Sequence, residues 1–188
     1  MRHVKAAQNT RNPAEVHMAK LHGAICWGVQ YDGTAGLSMS FGLPKFRVLA
    51  RAPIGLSAAA DNAVPHIVDV KGEWWLWLQH AYWQLTHNGS RMVSTSSAVH
   101  RIRRYTRLLE GRPLRHVEIC AQDGTTRLML GAGTVLDIRR KRVAAGEQLW
   151  LLFEPGGYCL SVRGDGTYDH EPCSGTDGRP KVARRRLA

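Results

Sequence analysis

The chain has 188 residues, of which 44% are hydrophobic and 22% are charged, which is typical of a globular protein and excludes a disordered or collagen-like chain. Its length suits one domain with a single core. Lys and Arg total 26 against 15 Asp and Glu, so the formal charge of +11 favours anionic partners, among them nucleic acid, acidic proteins and anionic lipid.

The N-terminal residues 1–22 are predicted to be a basic arm that carries one short helix. Asn12 can cap this helix, Pro13 suits its first position, and Glu15 can reach back to the amide of the cap residue. Gly23 is expected to end it. Residues 23–172 are predicted to form a single domain.

The first half of that domain is predicted to consist of short antiparallel strands. Apolar residues alternate with a period of two, and Asp32-Gly33 predicts a hairpin turn. Pro44 is expected to separate two strands, residues 55–65 have no regular pattern, and Lys71-Gly72 is a plausible turn.

Four tryptophans fall within ten residues: Trp74, Trp75, Trp77 and Trp83. As a helix, Trp74 and Trp77 would lie on one stripe with Leu78; as a strand, Trp75 and Trp77 would face away from Trp74, Leu76 and Leu78. Aromatic enrichment favours the strand, which would be apolar on both sides. We therefore expect a central strand whose tryptophans form the floor beneath the main helix, rather than a platform for stacking bases.

The main helix is predicted over residues 97–110. Val99, Ile102 and Leu109 form its apolar stripe, a serine caps its start, and Gly111 ends it. The remainder is predicted to be a meander of strands with Asp-Gly-Thr turns, followed by a basic flexible tail at 173–188. The predicted fold class is α+β: a mostly antiparallel, twisted sheet of short strands with this helix packed on it.

The candidate binding residues are the cations of the main helix and of a second cluster at the end of a later strand. Several of the helix arginines lie one turn apart, so their guanidinium groups could meet phosphates or carboxylates together. The alternative is a solvated outer face of an amphipathic helix. The predicted set is Arg101, Arg103, Arg104, Arg107, Arg112, Arg115, Arg139, Arg140, Lys141 and Arg142.

The sequence predicts no enzyme, no cofactor and no metal site. It contains no phosphate loop, nucleophile elbow, zinc-protease helix or dinucleotide glycine fingerprint. The best acid–base or metal candidate is the group Asp165, Asp169, His170 and Glu171, for which a polar turn is the simpler interpretation.

The four cysteines are widely spaced and are expected to be buried free thiols. No apolar segment approaches the ~20 residues of a membrane span, and the first twelve residues lack the apolar core of a secretion signal. A cytoplasmic location is therefore predicted, without membrane contact.

Two segments resemble small, functionally uncharacterised bacterial proteins: residues 149–168, which contain Glu154-Pro155-Gly156-Gly157-Tyr158, and residues 36–42. Such proteins include immunity and interaction modules, although immunity proteins for nucleases are usually acidic. The resemblance implies no site residue. The leading hypothesis is a non-enzymatic module that recognises an acidic partner, chiefly protein; the alternative is nucleic-acid binding through the arginine-rich helix. A homodimer through an exposed strand edge is also an open alternative.

Overall fold

The computed structural model describes residues 12–33, 36–49, 67–141 and 146–173. The predictions for residues 1–11, 55–65, 174–188 and for Arg142 lie outside these ranges.

Eleven strands and three short helical segments make up the described fold. The helices are α1 (Pro13–Ala19), α2 (Val99–Tyr105) and a 3₁₀ turn, η1 (Thr106–Leu109). The strands are β1 (Cys26–Tyr31), β2 (Leu37–Leu49), β3 (Ile67–Leu78), β4 (Ala81–His87), β5 (Ser90–Ser94), β6 (Leu114–Ile119), β7 (Thr126–Leu130), β8 (Thr134–Arg140), β9 (Gln148–Phe153), β10 (Tyr158–Arg163) and β11 (Tyr168–Pro172).

The strands form two antiparallel sheets that pack face to face. One has the order β1-β2-β3-β9-β10-β11 and the other β5-β4-β8-β7-β6. Buried residues of both sheets form one core, in which Trp83 and Trp150 are fully enclosed. The indole N–H of Trp150 in β9 donates a hydrogen bond of 2.9 Å to the hydroxyl of Thr126 in β7, which joins the sheets. The antiparallel prediction is confirmed, but the fold is closer to all-β than to α+β.

Two predicted interruptions are wrong because β2 and β3 are long, continuous strands. Pro44 lies inside β2, beyond Phe41, where the pairing with β1 has ended and no ladder bond to that side is needed. A register shift between Phe41 and Pro44, with Gly42 at φ +76°, absorbs the irregularity. Gly72 lies in β3 and packs against the backbone of Phe41, so Lys71-Gly72 is not a turn.

The predicted main helix exists but is divided into α2 and η1. No serine side chain caps it: the N-cap is Ala98, and the hydroxyl of Ser97 instead accepts from the amide of Ser94. Its neighbours are β5 and β1 at the sheet edges. The expectation that it rests on the tryptophans of β3 is therefore wrong.

The α1 helix is integrated into the core, with Met18 fully buried. Its N-cap is Asn12, whose side chain accepts from the amide of Ala14, as expected. Glu15, however, does not return to the cap. Its carboxylate accepts from the amide of Ile119 at 2.7 Å and so attaches α1 to the end of β6.

Candidate functional site

Three arginines on the connection between β5 and β6, the two edge strands of the five-stranded sheet, surround an open concavity. Arg103, Arg104 and Arg107 line it together with Val99 and His100. All three arginines are exposed, and none forms an ion pair with any acidic residue that the structure describes. Among the described residues, the positive charge of the concavity therefore has no acidic partner.

The other α2 arginine, Arg101, turns toward β5. Its guanidinium group lies 3.5 Å from the carbonyl oxygen of Met92 and 5.9 Å from the ring centroid of Tyr105. Arg104 lies 5.6 Å from the same ring. Tyr105 is thus a shared aromatic support between Arg101 and the concavity.

The two predicted arginines at the end of β8, Arg139 and Arg140, contact different parts of the fold. The guanidinium carbon of Arg139 lies 4.4 Å from the ring centroid of Tyr82 in β4, next to β5 and on the same sheet. The pKa of Tyr82 is lowered, first by a hydrogen bond with Ser94 and then by Arg139 and Arg91. Arg140 instead approaches the carbonyl oxygen of Gly164 at 3.5 Å.

The remaining predicted cations do not join the concavity. Arg115 lies on β6, the edge of its sheet opposite to β5, Arg112 is half-buried, and Lys141 is exposed after β8. Sequence spacing groups these residues, but the strand order of the sheet separates them.

The outer face of the six-stranded sheet carries aromatic residues. Trp75 and Trp77 are half-exposed there and stack at 5.7 Å between ring centroids, and Trp75 also stacks on Phe153 at 4.8 Å. Lys71 covers the ring of Trp75, with Nζ 3.2 Å from the centroid. These two tryptophans are not in the main core. They also lie in β3, away from α2, so they do not form one platform with the arginines.

The cysteine prediction needs correction. Cys159 and Cys173 form a disulfide, with their Cα atoms 5.2 Å apart. Cys26 is a buried thiol, and burial raises its pKa. Cys120, directly after the last residue of β6, is an exposed thiol.

A third group brings together side chains that are far apart in sequence: His17 of α1, Glu154 after β9, and His170 of β11. Nδ1 of His17 lies 3.4 Å from Oε1 of Glu154, and Nε2 of His170 lies 3.3 Å from Oε2. The imidazole rings are 4.1 Å apart between centroids. Burial and the neighbouring His170 lower the pKa of His17, while Glu154 acts in the opposite direction.

His170 was predicted to group with its sequence neighbours, but they face elsewhere. Asp169 forms an ion pair of 2.6 Å with Arg163, and Asp165 accepts hydrogen bonds from Thr167. Side chains alternate along β11, so Asp169 and His170 point to opposite faces of the sheet. No local sequence signal marks His17 or Glu154 as partners of His170.

No family model, curated protein or solved structure matches this chain. The resemblance to small bacterial interaction modules thus stays a prediction. In the described part of the chain, neither helix has the length and apolar character needed to cross a bilayer.

Proposed function

We propose that the chain is a non-enzymatic binding module and that the α2 concavity receives an acidic segment of a protein partner. The observation that carries the proposal is the convergence of Arg103, Arg104 and Arg107 on one exposed concavity without acidic partners among the described residues. Guanidinium groups at helical spacing bind carboxylates through paired, charge-assisted hydrogen bonds.

An acidic protein is favoured over nucleic acid by the placement of the aromatic residues. Single-stranded nucleic acid is held by basic grooves that also offer aromatic faces for base stacking. Here the half-exposed Trp75 and Trp77 lie on β3, and the arginines lie on the connection from β5 to β6. Tyr105, next to the arginines, is already engaged by Arg101 and Arg104.

The experiment is a fluorescence-anisotropy titration of the full chain with a labelled oligoglutamate peptide and, separately, with labelled single-stranded DNA and RNA. The test variant is Arg103→Glu/Arg107→Glu. The matched control is Lys45→Glu/Arg115→Glu, which changes the net charge equally at two exposed positions outside the concavity. Each lost charge-assisted bond is worth about 1.5–3 kcal/mol, so we expect at least about a tenfold loss of peptide affinity in the test variant.

If the test and control variants lost equal peptide affinity, the interaction would depend only on net charge, and the proposed site would be refuted. If DNA or RNA bound saturably and the peptide did not bind, the partner would be nucleic acid and not an acidic protein. In that case the slope of log affinity against log salt should fall by roughly 1.4 in the test variant, since each phosphate contact of a single strand contributes about 0.7.

The cellular location belongs to the same proposal. The prediction of a cytoplasmic location rests on the missing secretion signal and membrane span and on the expected free thiols, whereas disulfides persist mainly in oxidising compartments. The Cys159–Cys173 bond therefore favours a location or a stage in which the chain is oxidised.

A further inference from the structure

We propose that His17, Glu154 and His170 form a zinc site, with two imidazoles and one carboxylate as ligands and a fourth coordination position open to solvent. The site is independent of the arginine concavity, since its residues belong to α1, the β9–β10 turn and β11.

The spacing of the donor atoms fits tetrahedral zinc. With zinc–ligand bonds of about 2.0–2.2 Å, neighbouring ligand atoms of a tetrahedral site lie about 3.4 Å apart. Nδ1 of His17 lies 3.4 Å from Oε1 of Glu154, and Nε2 of His170 lies 3.3 Å from the other oxygen, Oε2, so each imidazole nitrogen has this spacing to one carboxylate oxygen. All three donors lie within 4.8 Å of one another, so small side-chain movements complete the geometry.

The buried polar atoms give a second, independent reason. The side chain of Glu154 is only 5% exposed. Its Oε1 and Nδ1 of His17 are both buried, yet neither has a hydrogen-bond partner in the described structure. Native proteins rarely leave such atoms unpaired. A cation bound by both atoms, which lie 3.4 Å apart, would satisfy both.

The three ligands are held in place by packing and hydrogen bonds of the surrounding fold. The α1 helix that carries His17 is fixed by the buried Met18 and by the Glu15–Ile119 hydrogen bond. The amide of Glu154 donates to the carbonyl oxygen of Tyr158 at 2.8 Å, in the β9–β10 turn. The ring of Tyr158 stacks on His170 at 5.3 Å between centroids. Ligands held in this way lose little entropy when the metal binds.

The donor set favours a transition metal, and the spacing of the donors favours tetrahedral zinc. Two imidazoles with one carboxylate suit zinc, whereas calcium and magnesium require more oxygen ligands. The side chains of His17 and His170 are 24% and 27% exposed, so the site opens to solvent on one side. Zinc with three protein ligands holds a water molecule or another ligand in the fourth position.

Lys20 competes with the metal for the carboxylate. Its Nζ lies 3.9 Å from Oε2 of Glu154, and its side chain is 52% exposed, so it can move into solvent when a cation binds. Removing this positive charge should strengthen zinc binding. Lys20→Gln is thus a variant whose expected effect is a gain.

The experiment titrates zinc into the full chain after removal of metal with a chelator, using a competing chromophoric chelator as the readout. We expect one high-affinity site per chain. His17→Ala, Glu154→Gln and His170→Ala should each lower the affinity at least tenfold, and Lys20→Gln should raise it. The matched control is His22→Ala/His116→Ala, which removes another histidine pair, with rings 6.2 Å apart and Glu118 3.9 Å from His116.

Affinity that falls equally in the control, or stays unchanged in all three ligand variants, would overturn the proposal. A second measurement uses the unaltered chain, so that it does not depend on how the variants fold. With cobalt(II) as the probe, we expect a tetrahedral visible spectrum without a thiolate charge-transfer band and hyperfine-shifted proton signals from two histidines. An octahedral spectrum, thiolate absorption or no shifted histidine signal would also overturn it.

Discussion

Substituting Gly124 with alanine should destabilise the fold at a contact between two turns. The β6–β7 turn contains Gly124 at φ +66°, and a Cβ there would collide with the carbonyl oxygen of Arg163 and approach Cγ1 of Val162 to 3.1 Å. Gly166 in the β10–β11 turn has the reciprocal problem with the carbonyl oxygen of Ala121. The two Asp-Gly-Thr turns thus approach each other backbone to backbone and connect the two sheets.

The expected loss of unfolding free energy in Gly124→Ala has two parts. Left-handed backbone costs a residue with a Cβ about 1–2 kcal/mol relative to glycine. The collision adds about 1–3 kcal/mol, because the obstacle is backbone and cannot be relieved by a rotamer change. Gly111→Ala is the matched control: its φ is +71°, and no described atom lies within 4 Å of its added Cβ. The control should therefore lose only the first part.

Urea unfolding followed by tryptophan fluorescence measures the difference between the two variants. For m-values of about 1–3 kcal/mol/M, an extra loss of about 2 kcal/mol lowers the midpoint of Gly124→Ala by about 1 M relative to Gly111→Ala. Coincident midpoints for the two variants would refute the close approach of the turns. The same comparison applies to Gly166→Ala.

Three further predictions concern the core, the disulfide and acid stability. Trp150→Phe should lower the free energy of unfolding by about 2–3 kcal/mol, since it opens space in the core and removes the hydrogen bond to Thr126. Trp77→Phe, on the half-exposed face, should lower it by less. Equal losses of the two variants in urea unfolding would contradict this prediction. Cys159→Ser should lower the free energy of unfolding by about 3 kcal/mol, because it opens a loop whose two cysteines have a sequence separation of 14. Dithiothreitol should then lower the melting temperature of the parent chain but not that of the variant. The hydrogen bond from the amide of Thr125 is the main cause of the lowered pKa of Asp123. This carboxylate therefore stabilises the fold at pH values above its unfolded pKa of about 3.8. The stabilisation is lost as the pH falls through the lower pKa of the folded state. Stability measured from neutral to acid pH should fall less steeply in Asp123→Asn, and an unchanged slope would contradict the assignment.

Some local features of this chain were readable from the sequence because they depend on neighbouring residues, although the expected break at Pro44 and the expected turn at Lys71-Gly72 are wrong. Asn88 and Gly89 both have positive φ at the β4–β5 hairpin, as their turn chemistry predicts. The alternation in the tryptophan segment also holds: Leu76 and Leu78 are fully buried, whereas Trp75 and Trp77 lie on the other face. Periodicity gives the two faces of a strand, but it does not say which face meets the main core.

The predicted site residues differ in the same way: sequence spacing groups the residues of one helical segment correctly, but it does not group residues of different strands. Arg103, Arg104 and Arg107 share a concavity because they share a helical segment, and helical spacing is visible in sequence. Arg115 was included because it follows the helix and Arg139 because it belongs to a second cluster of cations, and the strand order β5-β4-β8-β7-β6 places them on different strands of the sheet.

By itself, the sequence determined the charge of the protein, the antiparallel strands and the basic helix, since these follow from composition and from contacts a few residues apart. The tertiary structure decided how the strands divide into two sheets and that Cys159 pairs with Cys173. It also decided that His17 meets Glu154 and His170, which lie at the opposite end of the chain. Such long-range meetings depend on packing of the whole chain, which short-range patterns do not encode.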